Sequence, residues 1–155
     1  MYNFLLITHS WLRWVVLILA VYALYKNYEG FTSGRKWTVA DKKINTLFMS
    51  SLHLQLLIGL VLYFGFSPIV QSFMADVKGS MKVAELRFFG MEHFVGNLIG
   101  ITIAQIGSIK AKKQLSDAGK FRTAFFWFLG AILLILMMIP WGIWNAERPM
   151  FRFHF

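Results

Sequence analysis

The chain has no cysteine and few charged residues. Without thiolates it cannot form disulfide bonds, iron–sulfur clusters, thiolate zinc sites or the covalent attachment of a c-type haem. Charged residues make up 15% of its 155 residues, whereas a soluble domain has about 25%. The scarcity of charge therefore indicates a surface that faces lipid rather than water.

Long apolar runs take the place of charge. Hydrophobic residues make up 57% of the chain, and the mean hydropathy is +0.57. Four runs approach the ~20 residues that a membrane-spanning helix needs: residues 4–25, 44–66, 88–109 and 124–144. None alternates as a strand does. The sequence thus predicts an all-α protein, an integral membrane up-down four-helix bundle, in which residues 1–155 form a single transmembrane domain.

The connections between the runs carry their own signals. Gly30 and Gly34 are predicted to break the chain in the first connection. The middle connection, residues 67–87, is longer and semi-apolar, and it is predicted to hold a short interfacial helix.

Basic residues are distributed unevenly among the three connections. Ten lie in the first and third: Lys26, Arg35, Lys36, Lys42, Lys43, Lys110, Lys112, Lys113, Lys120 and Arg122. Three lie in the middle one: Lys78, Lys82 and Arg87. The positive-inside rule makes the first and third connections cytoplasmic and places both termini on the opposite side. In a bacterial inner membrane, which is the expected location, that side is the periplasm. Topology and lipid headgroups thus account for the net charge of +9, and no nucleic-acid partner is predicted.

Two histidines fall at the same predicted depth in the membrane. His9 is 17 residues from Lys26 and His93 is 17 residues from Lys110, which places both about 25 Å above the cytoplasmic boundary. The first and third helices of such a bundle lie across its diagonal, so the two imidazoles face each other. Neutral imidazoles on opposite sides suit the axial positions of haem iron. We therefore predict one haem b, with His9 and His93 as its metal ligands.

Other polar residues on the same helices are candidates for contact with this cofactor. Asn97 lies one turn from His93 on the same face, and Arg13 lies one turn from His9. Arg13 is predicted either to pair with Glu92, which lowers the cost of both charges in the membrane, or to neutralise a haem propionate.

His53 is a further candidate cofactor-binding residue, but at a different depth. It lies 10 residues past Lys43, about 15 Å up, and so about 10 Å out of the plane of the other two histidines. Because Ser50 and Gln55 are near, a helix–helix hydrogen bond is its alternative role. His154, in the final segment, is expected to have no specific role.

Other chemistries fit the sequence poorly. Copper could use a histidine with Met49, Met137 or Met138, but no Met–His cluster has the spacing of a ligand set. The sequence has no phosphate-binding glycine loop, HExxH motif, paired acidic dyad or Ser–His–Asp arrangement. Gly96 and Gly100 form a small-xxx-small pair, which is typical of helix packing.

Three segments carry a resemblance to known families: "HSWLRWVVL", "HLQLLIGLVLYF" and "EHFVGNLIGI". Together they resemble the small four-helix membrane proteins called cytochrome b in Bacteroidetes-type bacteria, over nearly the whole chain. The layout is also similar to that of bacterial membrane-bound protoporphyrinogen oxidases, which are haem-binding four-helix proteins. That match implies His9 and His93 as the ligand positions. Those oxidases typically follow the second histidine with a lysine, whereas Phe94 follows it here.

The functional expectation is a membrane b-type cytochrome that transfers electrons within a respiratory or redox chain. Its expected partners are the lipid bilayer, a quinone or redox protein, and the other subunits of a larger membrane complex. Two alternatives stay open, and with them the question of enzyme activity. One is a haem-dependent protoporphyrinogen oxidase, and the other is an accessory subunit whose histidines serve only packing.

Overall fold

The computed structural model describes residues 1–141, 149 and 151, and helices account for most of that part of the chain. Two short π-helices extend or precede longer α-helices. In order, the elements are α1 (Tyr2–Ser33), α2 (Val39–Val61), the first π-helix (Leu62–Phe66), α3 (Pro68–Ala75), α4 (Val77–Ser80), α5 (Ala84–Arg87), the second π-helix (Phe88–Glu92), α6 (His93–Lys112) and α7 (Asp117–Met137).

Four helical stretches are long and apolar enough to cross a membrane, as predicted. They are Tyr2–Ser33, Val39–Phe66, Ala84–Lys112 and Asp117–Met137. Their outward faces carry large apolar side chains, and Ile18, Val21 and Leu57 are each more than half exposed. Such a surface is stable in contact with lipid and costly in contact with water.

The four long helices form a bundle with a packed core. α1 packs against α2 and α7, and α6 packs against α7 and α2. α1 and α6 therefore occupy one diagonal, as an up-down bundle requires. Phe48 of α2 and Phe128 of α7 meet in the core with ring centroids 5.0 Å apart. Buried alanines on three helices let the backbones approach closely: Ala20, Ala23, Ala104 and Ala131.

α1 is longer than predicted, and Gly30 does not break it. The helix continues to Ser33, eight residues past the predicted end at position 25. Gly30 is buried, and a Cβ atom there would overlap the ring of Phe121 on α7, so this glycine serves close helix packing instead. Gly34 does end the helix, with a left-handed φ of 65° at the C-cap position.

α7 begins and ends earlier than the predicted range of 124–144. The side chain of Ser116 accepts a hydrogen bond from the Gly119 amide at 3.1 Å and so caps the helix at Asp117. Pro140 follows shortly after the last helical residue, where its ring prevents further helix. Hydropathy alone misplaced both ends because it ignores these local signals. Residues 142–144 of the predicted helix lie outside the described residues.

The middle connection contains a short helix, as predicted. Pro68 occupies the first turn of α3, and the Ser67 side chain accepts a hydrogen bond from the Val70 amide. Val70 and Phe73 are buried, and α3 packs against the second π-helix. α3 therefore covers one end of the bundle.

Paired polar side chains hold the opposite end of the bundle. Arg35 donates two hydrogen bonds to Asp41, at 2.6 and 2.8 Å, and its guanidinium lies 4.6 Å from the ring centroid of Phe121. The bond to Asp41 raises the pKa of Arg35. Asn27 and Asn45 exchange buried hydrogen bonds of 2.8 and 3.2 Å between α1 and α2. Asn27, Arg35, Asp41 and Asn45 are called the polar network below.

Candidate functional site

A cavity of about 180 Å³ lies in the end of the bundle that α3 covers. α1, α2, α6 and the end of α7 supply most of its wall, which is largely apolar. Four predicted site residues line it: His9, Arg13, His93 and Asn97. An apolar pocket with a few convergent polar groups is the usual form of a cofactor or small-molecule site.

The two histidines lie side by side in this cavity. The ring centroids of His9 and His93 are 6.4 Å apart, and the ring planes are inclined by 64°. The side chains come from α1 and α6, the diagonal pair. The juxtaposition inferred from residue counts is therefore present, while the role of the two histidines as metal ligands stays a prediction.

The spacing of the two rings suits one metal ion held between them. A metal–imidazole nitrogen bond is about 2.1 Å, so two such nitrogens on opposite sides of an ion are about 4 Å apart and the ring centroids about 2 Å farther. The observed 6.4 Å agrees with that sum. Among the described residues, no three His, Cys, Asp or Glu side chains form a metal group. The spacing of the two imidazoles is therefore compatible with two nitrogen ligands on one ion.

His93 is oriented by the end of α7. Its Nδ1 lies 2.7 Å from the carbonyl oxygen of Met138, at the C-terminal end of α7. Since a carbonyl only accepts, Nδ1 carries the proton, and Nε2 keeps its lone pair for a ligand. Asn97 lies 3.4 Å from the same Nδ1, but its amide donates a shorter bond of 2.7 Å to the His93 backbone carbonyl. Asn97 thus supports the backbone at His93.

His9 fits against a glycine of α2. A Cβ atom at Gly59 would lie 3.2 Å from Cε1 of His9, so the absence of a side chain there makes room for the imidazole. Gln55, one turn earlier on α2, donates a 3.0 Å hydrogen bond to the His9 backbone carbonyl. The Nδ1 atom of His9 is buried and has no hydrogen-bond partner among the described residues. A buried nitrogen of this kind is a candidate contact for a bound group.

The predicted pair of Arg13 with Glu92 is wrong. Glu92 accepts a 2.7 Å hydrogen bond from Nε of Arg87, five positions earlier. In an ordinary α-helix residues five apart point about 140° away from each other. The intervening π-helix closes its turns over five residues and brings the two side chains to one face. Arg13 lies in the cavity wall, with its guanidinium carbon 5.4 Å from the ring centroid of Trp14.

The structure does not bring His53 to the cavity. Its side chain is exposed on the outer face of α2, and no hydrogen bond joins it to another described residue. His154 lies outside the described residues. Gly96 and Gly100 face α7, where a Cβ on Gly100 would come within 2.8 Å of the Ile135 side chain. These glycines therefore serve helix packing.

Among the residues of the cavity wall that sequence reasoning missed are Gly59 and Tyr63. An isolated glycine inside a helical pattern marks close approach, and Gly59 carries that signal. Tyr63 lies one turn after Gly59 on the same face. Its hydroxyl donates a 2.6 Å hydrogen bond to the Gly90 carbonyl, a contact between residues 27 positions apart that no local pattern indicates.

Comparison with known proteins identifies no match to this chain. No protein-family model, no curated protein and no solved structure matches the chain. The family resemblance of the three sequence segments therefore stays a prediction.

Proposed function

We propose that the protein is a membrane b-type cytochrome that holds one haem b between His9 and His93 and passes single electrons. The observation that carries the proposal is the pair of imidazoles 6.4 Å apart, from diagonal helices, in a largely apolar cavity. When bound, the haem would supply a reversible one-electron couple at its iron.

The chain's own residues have separate tasks in this proposal. His93 is held in one tautomer by the Met138 carbonyl, which leaves Nε2 as the ligand atom. His9, in the space that Gly59 leaves, would be the second ligand. The apolar wall would exclude water and, with the identity of the two ligands, tune the reduction potential. With both histidines bound to it, the haem would supply electron transfer rather than oxygen chemistry.

Arg13 lies in the cavity wall one turn from His9, and we assign it the neutralisation of a haem propionate. A guanidinium binds a carboxylate through two parallel hydrogen bonds, which an ammonium group does not match. Charged residues within membrane-spanning helices are energetically costly, and they usually face the bundle interior and contact partners there. The position of Arg13 in the cavity wall agrees with this tendency.

The proposal includes a location and partners. We place the protein in a bacterial inner membrane. The distribution of basic residues supports an orientation with the connection between α1 and α2 and that between α6 and α7 on the cytoplasmic side. The cavity then opens near the periplasmic side, where a quinone or a redox protein would exchange electrons. Membership of a larger membrane complex is part of the same proposal.

The test is the reduced-minus-oxidised spectrum and pyridine-haemochrome content of protein purified after haem-replete expression. We expect low-spin haem in the wild type and its loss, or weakly held high-spin haem, in His9→Ala and in His93→Ala. His53→Ala is the matched control, since its imidazole is exposed outside the cavity, and it should keep the wild-type spectrum. Absence of haem from the wild type would remove the cytochrome assignment. Loss of low-spin haem in His53→Ala alone would show that the wrong histidines were paired.

A further inference from the structure

We propose that Tyr63 positions the His93 ligand by bonding the second π-helix to the first. The inference rests on the proposed haem site, but its evidence is separate from the pair of histidines. It concerns how the helix that carries His93 is held at its start.

Tyr63 contacts the chain on both sides of His93. Its hydroxyl donates a 2.6 Å hydrogen bond to the carbonyl of Gly90, three residues before His93. Its ring stacks on Phe94, the next residue after His93, with centroids 4.6 Å apart and planes inclined by 27°. One side chain therefore fixes the backbone before the histidine and the side chain after it.

The hydrogen bond falls where the helix changes its bonding pattern. The second π-helix ends at Glu92, and α6 begins at His93. A π-helix bonds over five residues and an α-helix over four, so backbone partners change at such a junction. The Tyr63 hydroxyl supplies the Gly90 carbonyl with a donor in the half-buried wall at this junction. Tyr63 itself belongs to the first π-helix, so the bond joins the two irregular segments.

The second π-helix is also held from its other side. The ring of Phe73 on α3 packs directly against Gly90, leaving no space for a Cβ atom there. Gly90 is thus clamped between α3 and Tyr63. Two aromatic residues of the same π-helix, Phe88 and Phe89, have ring centroids 5.7 and 6.0 Å from that of His93. A shift of the second π-helix would therefore also move the imidazole of His93.

Tyr63 is therefore a positioning residue and not a ligand. It lines the cavity together with Phe94, but its hydroxyl is committed to the Gly90 carbonyl. Met138 fixes the tautomer of His93, and Tyr63 fixes the height and rotation at which α6 begins.

The experiment replaces Tyr63 by Phe, which keeps the stacked ring and removes only the hydroxyl. Tyr22→Phe is the control, because this tyrosine is exposed on α1 and the chemical change is identical. In purified, haem-loaded protein we expect Tyr63→Phe to shift the low-spin electron paramagnetic resonance signal or to add a high-spin fraction. Tyr22→Phe should match the wild type. An unchanged signal in Tyr63→Phe, even with a lowered thermal midpoint, would reduce the contact to a structural one and overturn the proposal.

Amide hydrogen exchange separates failure of this inference from failure of the haem proposal. In haem-free protein, Tyr63→Phe should speed exchange at residues 90–94 about fivefold, the effect of losing one hydrogen bond. Residues 101–107 of α6 should be unaffected. A wild type without haem rejects the cytochrome, yet faster exchange at 90–94 still supports the control of the His93 segment by Tyr63. Unchanged exchange there rejects that control.

Discussion

The two ends of the bundle bury polar side chains in opposite ways. In the polar network, Asn27 bonds to Asn45 and both terminal nitrogens of Arg35 bond to Asp41, so that only Nε of Arg35 is buried without a partner among the described residues. At the cavity, His9 and His93 lie side by side, and Nδ1 of His9 has no partner among the described residues. An unsatisfied buried polar group costs about 1–3 kcal/mol. Polar burial thus stabilises the fold at one end, and at the other it leaves a buried imidazole nitrogen unsatisfied in a residue that lines the cavity.

The difference between the polar network and the cavity indicates a different role for each end of the bundle. A network whose side chains bond mainly to one another is explained by packing and register. A set of polar groups around a cavity is incomplete until something occupies it, and incompleteness of this kind is typical of functional sites. The comparison predicts that changes in the polar network alter stability and leave the site intact, whereas changes at the cavity do the reverse.

The largest expected effect on stability comes from Asp41→Ala. Asp41 is buried, and its removal leaves Arg35 without its two charge-assisted hydrogen bonds and Thr38 without the carboxylate that completes its cap. Breaking such a pair costs about 3 kcal/mol. Denaturant unfolding in detergent measures the loss. Asp117→Ala is the control, because Asp117 pairs with Lys120 at the surface, where loss of an ion pair costs far less than in the interior. Altered haem content in folded Asp41→Ala would contradict the separation of the two ends.

A smaller effect is expected from Asn45→Ala, since it leaves the buried Asn27 side chain without its interhelical partner. The expected loss is about 2 kcal/mol of unfolding free energy. The double variant Asn27→Leu with Asn45→Leu removes both polar groups together and should recover most of that loss. A double-mutant cycle measures the coupling directly. Additive losses would mean that the two amides act independently.

The smallest effect on stability, with a change at the site, is expected from Gly59→Ala. The added Cβ would lie 3.2 Å from Cε1 of His9, so the imidazole must give way by a few tenths of an ångström. We expect unfolding free energy within about 1 kcal/mol of the wild type. The visible spectrum of the haem-loaded variant should nevertheless differ from that of the wild type, because the His9 imidazole is displaced. Gly65→Ala, where a Cβ meets open space, provides the matched control. Identical spectra for both variants would show that Gly59 does not shape the ligand position.

The sequence was sufficient to predict the features that depend on the helical period or on the length of an apolar run. Four apolar runs predicted the four long helices, and counting from Lys26 and Lys110 placed His9 and His93 together. Prediction from the sequence failed where the backbone departs from α-helical geometry. The π-helix at Phe88–Glu92 redirected Glu92 to Arg87, and nothing in the hydropathy of that segment marks it.

Long-range contacts were also beyond prediction from the sequence. The bond from Tyr63 to Gly90 and that from His93 to Met138 join distant positions through backbone carbonyls. Every residue type carries a carbonyl, so an acceptor of this kind leaves no mark in the sequence. Gly30 was misread for a related reason: close approach to Phe121 and a break in the helix use the same residue type.

The second π-helix has a consequence for changes in chain length. A one-residue deletion there would restore ordinary α-helical bonding. It would turn the preceding segment by about 100° relative to α6, which would separate Arg87 from Glu92 and move the Gly90 carbonyl away from the Tyr63 hydroxyl. The additional residue of the π-helix therefore sets the register in which the middle connection meets the helix that carries His93.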